Sequence, residues 1–304
     1  MKTKKLLLAA AALTVLTACS SDDSSAENNE QRVPVTLACT NVDATETRAA
    51  QDLNQGTFAS GESVMVRISN TGADTWTDYT FTTGDAGAMN APNPAPYYPA
   101  GEQNIDIVAY YPATAGSSFT VAADQTADAD YKASDLMFAS VTNQAKQADA
   151  VNLAFTHKMA KLNVNITAGE GVTSIESVSI LNVKPTVTFD QATGTVGSAY
   201  GDATTITMSN NGAAVIPAQT IDGGLLSIET DQGTATYSVK NKAFDAGKFY
   251  TLNITVNLRA VGTTTAITEW FSDGTVTLTP FPGSEGNTEG YMEDNNFDAD
   301  NLYD

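Results

Sequence analysis

The chain has 304 residues, 42% hydrophobic but only 8% aromatic and 16% charged, with a formal net charge of −20 at pH 7. That acidic balance excludes nucleic acid and anionic membrane surfaces as electrostatic partners. One histidine and two cysteines give no catalytic triad, metal cluster or disulfide framework, so the residues point to a protein that is not an enzyme and needs no cofactor.

In chain order, Lys2, Lys4 and Lys5 form a cationic head, and Leu6 to Leu16 form an apolar run too short to span a bilayer. Leu16-Thr17-Ala18-Cys19 closes that run and resembles a bacterial lipoprotein signal. The resemblance implies removal of residues 1–18 and acylation of Cys19, by palmitate among other chains. Multiple acyl chains at about 0.8 kcal/mol per buried CH₂ hold such a precursor on the outer membrane. The competing reading is an ordinary secretory signal with an incidental cysteine. Ser20-Ser21-Asp22-Asp23 resembles the acidic tag of surface-exposed lipoproteins of the Bacteroidetes, and the polar stretch to Gln31 reads as a flexible tether.

Val33, Val35, Leu37 and Cys39 alternate with Pro34, Thr36 and Ala38, which predicts a strand with Pro34 near its start. Thr47-Arg48-Ala49 follows. A cut after Arg48 removes that whole strand, whereas a cut at Arg32 leaves it in place. Val64, Val66 and Ile68 alternate in a further strand, and Ile105 to Tyr111 reads as one buried on both faces, ended by Pro112. Asn90 to Pro99, rich in proline, is a loop or an edge cover. Polar Asn143 to Asp149 marks the expected domain boundary. Val151, Leu153 and Phe155 share one parity and Leu162, Val164 and Ile166 the other, which places a bulge or bend across Thr156 to Ala160. Further strands are expected at 177–183, 186–189, 204–208, 214–216, 225–229, 236–239 and 249–258, with Gly223-Gly224 as a turn between strands. Thr275-Val276-Thr277-Leu278-Thr279-Pro280-Phe281 puts Val276 and Leu278 on one face. With no amphipathic helix in sight, the fold class is all-β, built of sandwich domains.

Several segments together resemble the fimbrillin family, the subunits of Bacteroidales type V pili. They are the Cys19 lipobox, Thr47-Arg48-Ala49, Ile107-Val108-Ala109-Tyr110-Tyr111-Pro112, Asp135-Leu136-Met137-Phe138-Ala139, Leu153 through Leu162, Val215-Ile216-Pro217-Ala218-Gln219 and Gly247-Lys248-Phe249-Tyr250-Thr251-Leu252. The resemblance implies two tandem transthyretin-like β-sandwich domains. It also implies that an arginine-specific maturation protease removes the N-terminal strand, and that another pilus subunit fills the vacated groove by strand exchange. Mapped here, 1–18 is the signal peptide and 19–48 the lipidated tether with the removable strand (Val33, Val35, Leu37, Cys39). Arg48 and Ala49 flank the cut, 49–148 and 149–281 are the two sandwiches, and 282–304 is an acidic tail. Val276 and Leu278 are the candidate donor strand. The implied location is an outer-membrane precursor and then the cell-surface fimbrium, with adhesion to a host or bacterial receptor as the role.

Alternatives stand beside these readings. The 275–281 segment reads equally as the last strand of its own domain. Trp76, Tyr97, Tyr98, Tyr110 and Tyr111 line a glycan site or cap a core. His157 reads as a hydrogen-bonded structural residue. Asp294, Asn296, Asp298 and Asp300 form a solvated acidic tail or a weak cation loop; Ala299 stands where a calcium loop needs glycine. The alternative function is a permanently anchored surface lipoprotein that binds glycan or host protein through its sandwich loops.

Overall fold

Period-two burial organises almost every element of the chain. The structure, a computed structural model, describes residues 32–41 and 58–257 and the strand backbone of 275–278. In the first half lie β1 (Leu37–Asn41), β2 (Ser63–Asn70), β3 (Thr77–Thr83), β4 (Ala88–Asn90), β5 (Ile105–Tyr111), β6 (Ser118–Thr120), β7 (Met137–Gln144) and β8 (Val151–His157). All but β6 join one sheet in the order β1-β4-β3-β2-β5-β7-β8, which closes on itself as a barrel. Closure leaves no free edge in this sheet. Val64 and Val66 of β2, Phe81 of β3, Ile107 of β5 and Leu153 of β8 are fully buried inside it. Each such side chain contributes about 1.5–3 kcal/mol by leaving water.

The second half contains β9 (Ala160–Ala168), β10 (Ile175–Val183), β11 (Thr186–Thr188), β12 (Thr204–Thr207), β13 (Ala213–Ile216), β14 (Gln219–Thr230), β15 (Gly233–Phe244), β16 (Phe249–Val256) and β17 (Thr275–Leu278). Two four-stranded sheets, β12-β10-β14-β15 and β13-β9-β16-β17, carry it. Leu162, Ile180, Ile206, Leu226, Ile228, Tyr237 and Val256 are buried in this half. The molecule is all-β, with one short α-helix, α1 (Asp128–Ala133), and one 3-10 turn at Asp85–Gly87 among the described residues.

The sheet topology changes hands after His157. β8 belongs to the barrel, so the polar stretch 143–149 is the β7–β8 connection rather than the seam between the two halves. The parity switch read at Thr156 to Ala160 is that seam: Phe155 points into the barrel, while Met159, Ala160 and Leu162 are buried on the sandwich side. Gly223-Gly224 is also corrected. It lies inside β14, where the register against β15 shifts on either side of it, because glycine's freedom at φ +90° allows a bulge instead of a turn.

Several contacts fasten the two halves, among them a strand pair, a buried amide and an aromatic cluster. β6 pairs antiparallel with β11 across the sequence. The fully buried Gln125 amide donates to the Val215 carbonyl oxygen at 2.8 Å and accepts from the Val215 N–H at 2.8 Å. Phe189 packs edge-on against Tyr110 of β5 and Phe138 of β7, covering the outer face of the barrel. Gly194 is required there, since a Cβ on it would stand 2.3 Å from the Phe138 ring. This is why β5 is buried on both faces.

Candidate functional site

The first described segment, from Arg32 to β1, is held along both sides. The Tyr98 N–H donates to the Val33 carbonyl oxygen at 2.9 Å, and the Val35 N–H donates to that of Pro96 at 3.0 Å. Pro34 bridges Tyr97, and the Arg32 guanidinium lies 4.8 Å from the Tyr97 ring centre. Further along, β1 runs antiparallel to β4, with Leu37 opposite Met89 and Ala38 opposite Ala88. Its other side runs parallel to β8, from Leu37 opposite Val151 to Asn41 opposite Phe155. The Val151 N–H donates to Thr36 at 2.9 Å. The proline-rich segment 90–99 thus covers one side of the run that leads into β1.

The side chains divide as alternation predicts. Val35, Leu37 and Cys39 are 1%, 3% and 3% exposed, while Thr36 faces solvent. Val33 is half-buried and packs on the core. Without these residues, Met89, Val151, Leu153 and Phe155 would border an open apolar groove. The Cys39 thiol donates to the Gly87 carbonyl oxygen at 3.4 Å, and burial pushes its pKa up. Gly87 has φ +82°, and a Cβ on it would lie 2.4 Å from the Cys39 carbonyl oxygen. Sequence reading did not single out Gly87. Its only signal was its place in the glycine-flanked stretch Gly84 to Gly87.

Phe58 anchors the chain where it re-enters the described structure. Its ring packs edge-on against Phe155 at 5.0 Å and Tyr111 at 5.4 Å. Beside it, the Tyr111 hydroxyl donates to Glu62 at 3.1 Å, and Lys132 lies 3.7 Å from the same carboxylate. Burial, and then the neighbouring Glu62 charge, raise the Tyr111 pKa. At the end of β8, His157 Nδ1 is 2.8 Å from Asp135, a residue only 3% exposed. Burial lowers the pKa of adjacent Lys158. Among the described residues, no group of three or more His, Cys, Asp or Glu is placed to hold a metal.

The structure therefore gathers Val33, Val35, Leu37 and Cys39 on one strand. Val276 and Leu278 lie elsewhere, on β17, whose backbone pairs parallel with β16 through Val276 opposite Ile254 and Leu278 opposite Val256. Cys19, Arg48, Ala49 and the tail 282–304 lie outside the described residues, whereas Arg32, the competing cut site, is described. The aromatic set does not form one surface: Tyr98, Tyr110 and Tyr111 are buried, whereas Tyr97 is exposed.

The sequence profile of the fimbrillin-like family matches residues 36–270, from β1 past the end of β16. The chain belongs to the fimbrillin-like family. This fimbrillin-like chain is 29% identical over 225 residues to a Bacteroides uniformis protein that carries the name of fimbrium subunit Fim1C, covering 65% of this chain and 68% of that one. Its fold is shared with two crystal structures named for cell adhesion proteins. One, from Bacteroides uniformis, aligns with TM-score 0.58 and 23% identity over 75% of this chain and 94% of its own. The other, from Bacteroides ovatus, gives 0.59 and 16% over 74% and 92%.

Proposed function

We propose that this fimbrillin-like protein is a structural subunit of a cell-surface fimbrium that supports adhesion. In this reading it is exported as a lipoprotein acylated on Cys19, cut after Arg48 by an arginine-specific protease, and polymerised when another subunit's strand replaces β1. The observation that carries the reading is the position of β1. With the run that leads into it, β1 completes the barrel and fills its core with Val35, Leu37 and Cys39, yet it belongs to the segment upstream of Arg48.

Covalent attachment gives β1 an effective concentration of roughly millimolar, so a foreign strand competes poorly before the cut. Cleavage removes that advantage and also separates the subunit from its lipid. The open groove then exposes two strand edges and an apolar trough, a hazard that only a new strand can repair. Burial of Val- and Leu-sized side chains at about 1.5–3 kcal/mol each, together with two-sided backbone pairing, favours that replacement. Val276 and Leu278 are the proposed donor residues.

The deciding measurement is the N-terminus of the native surface protein by peptide mass spectrometry. Ala49 as the dominant start supports the reading. An acylated Cys19 as the sole start rejects it in favour of an anchored lipoprotein that binds glycan or host protein.

A further inference from the structure

β9 and β16 run parallel, side by side, in the sheet β13-β9-β16-β17. Leu162 and Val164 of β9 and Ile254 and Val256 of β16 are buried, so the alternate residues of both strands face away from the core. Those outward residues meet in register as Thr251 opposite Asn163, Asn253 opposite Asn165 and Thr255 opposite Thr167. None of them is acidic, in a chain with 35 acidic residues against 15 basic ones. The outward side of the other sheet carries Glu229, bonded to Thr234, and the outer wall of the barrel carries the Arg67–Asp78 ion pair.

The amides on this face are tied in a row. Asn163 Nδ2 donates to Asn165 Oδ1 at 3.4 Å, and Asn165 Nδ2 donates to Asn253 Oδ1 at 2.8 Å. Asn165 is thereby held in one orientation, with the Asn163 amide oxygen left to accept at one end of the row and the Asn253 amide nitrogen left to donate at the other. Asparagine is disfavoured within strands, and a face that serves solubility alone carries Lys and Glu instead. Where β16 begins, Phe249 is 43% exposed, with Lys161 Nζ 5.1 Å from its ring centre.

We infer that this face binds an uncharged glycan, with the Asn163, Asn165 and Asn253 amides on its hydroxyl groups and the Phe249 ring against the C–H face of one sugar. The inference rests on the adhesion part of the proposed function and gives it a ligand class; it needs no strand exchange.

The chemistry matches on each count. Sugar hydroxyls donate and accept together, and an amide side chain does the same. Spacings of about 4.8 Å between strands and about 6.7 Å between alternate residues set the polar groups at the scale of single sugar rings. An exposed aromatic ring supplies apolar area to the C–H face of a pyranose. A polymer of acidic sugars is repelled by the net charge of −20, and a basic protein would seek carboxylates that these positions lack. Repetition of the face along a fibre turns a weak single site into strong attachment.

The test is native electrophoresis of the full chain through gels cast with α-mannan, with xylan or with hyaluronan. The expected result is several-fold lower mobility in α-mannan or xylan than in a polymer-free gel, and no retardation in hyaluronan. Asn165→Asp combined with Asn253→Asp should abolish the retardation. Phe249→Ala, at an exposed position, should reduce it while the thermal transition stays at the wild-type temperature, which keeps the test decisive if the double variant fails to fold. Unchanged mobility in both neutral gels, retardation that survives both variants, or retention by hyaluronan overturns the inference. Dimers in size-exclusion chromatography that vanish with the same variants would assign the face to a second copy of the chain and overturn it equally. None of these outcomes bears on whether the native protein begins at Ala49, so failure here leaves the fimbrial reading standing.

Discussion

Gly87 stands so close beneath Cys39 that a Cβ on it would lie 2.4 Å from the Cys39 carbonyl oxygen. That approach fixes where the N-terminal strand meets the turn before β4. It also sets the space available to whatever strand occupies the same place. Gly87→Ala combines a backbone clash with a strained φ of +82°, a type of change that costs on the order of 1–3 kcal/mol. The expected outcome is a precursor whose N-terminal segment is cut by added protease several-fold faster than wild type while the sandwich half keeps its thermal transition. Unchanged proteolysis would show that the contact relaxes without loosening β1.

Cys39 reports on the same strand chemically. Buried and protonated, its thiol should resist alkylation in the intact precursor and react at the rate of an exposed thiol once a cut after Arg48 releases the strand. Mass spectrometry after a short alkylation pulse checks this. The linkage has a definite sign. A thiol whose folded pKa is raised holds its full stabilisation below the unfolded thiol pKa and loses it as pH rises through the folded one. Stability of the precursor should therefore fall on the alkaline side, and Cys39→Ala should flatten that fall.

His157 and Asp135 meet at 2.8 Å where β8 leaves the barrel. Asp135 Oδ2 is buried without a hydrogen-bond partner, so the imidazole contact carries much of the compensation for burying this carboxyl group. His157→Ala is expected to lower unfolding free energy by about 1–3 kcal/mol, the usual cost of orphaning a buried polar group. Asp135→Asn with His157→Gln should recover part of it. Urea denaturation followed by tryptophan fluorescence measures both, and equal stability of His157→Ala and wild type would contradict the assignment.

Gln125 joins the halves by bonding both polar groups of Val215. Gln125→Ala leaves that N–H and carbonyl oxygen buried and unpaired, at about 1–3 kcal/mol each. The expected signature is a lower denaturation midpoint with the transition splitting in two, as the barrel loses its tie to the sandwich. A single transition at the native midpoint would mean that the remaining contacts between the halves, including the β6–β11 pair and the main-chain bonds of residues 121–125 to Pro185 and Thr207, suffice.

Arg48→Ala should give a folded, lipidated monomer that does not polymerise, read by non-reducing, unheated gels of surface protein. Fibres formed by that variant would exclude the proposed maturation route.

Much of this architecture is written in local pattern. Alternation fixes which faces of residues 33–39, 64–68 and 151–155 are apolar, because side chains in an extended chain point to opposite faces at every step. It also placed the bend at Thr156 to Ala160, since a parity switch has no other geometric meaning in a continuous strand. The sequence by itself thus determined the all-β class and the inward set Val35, Leu37 and Cys39, whereas it set the boundary between the two halves at 143–149, a polar stretch that the sheet topology makes the β7–β8 connection. Partnership was decided only by tertiary structure. Nothing local states that β1 lies parallel to β8 and antiparallel to β4, that Gly87 abuts Cys39, or that Gln125 reaches Val215. Pairing depends on main-chain groups that every residue shares, and its register is selected by side chains far away in the chain. For the same reason Gly223-Gly224 looked like a turn, although its long partner strand, β15, keeps it within β14 as a bulge.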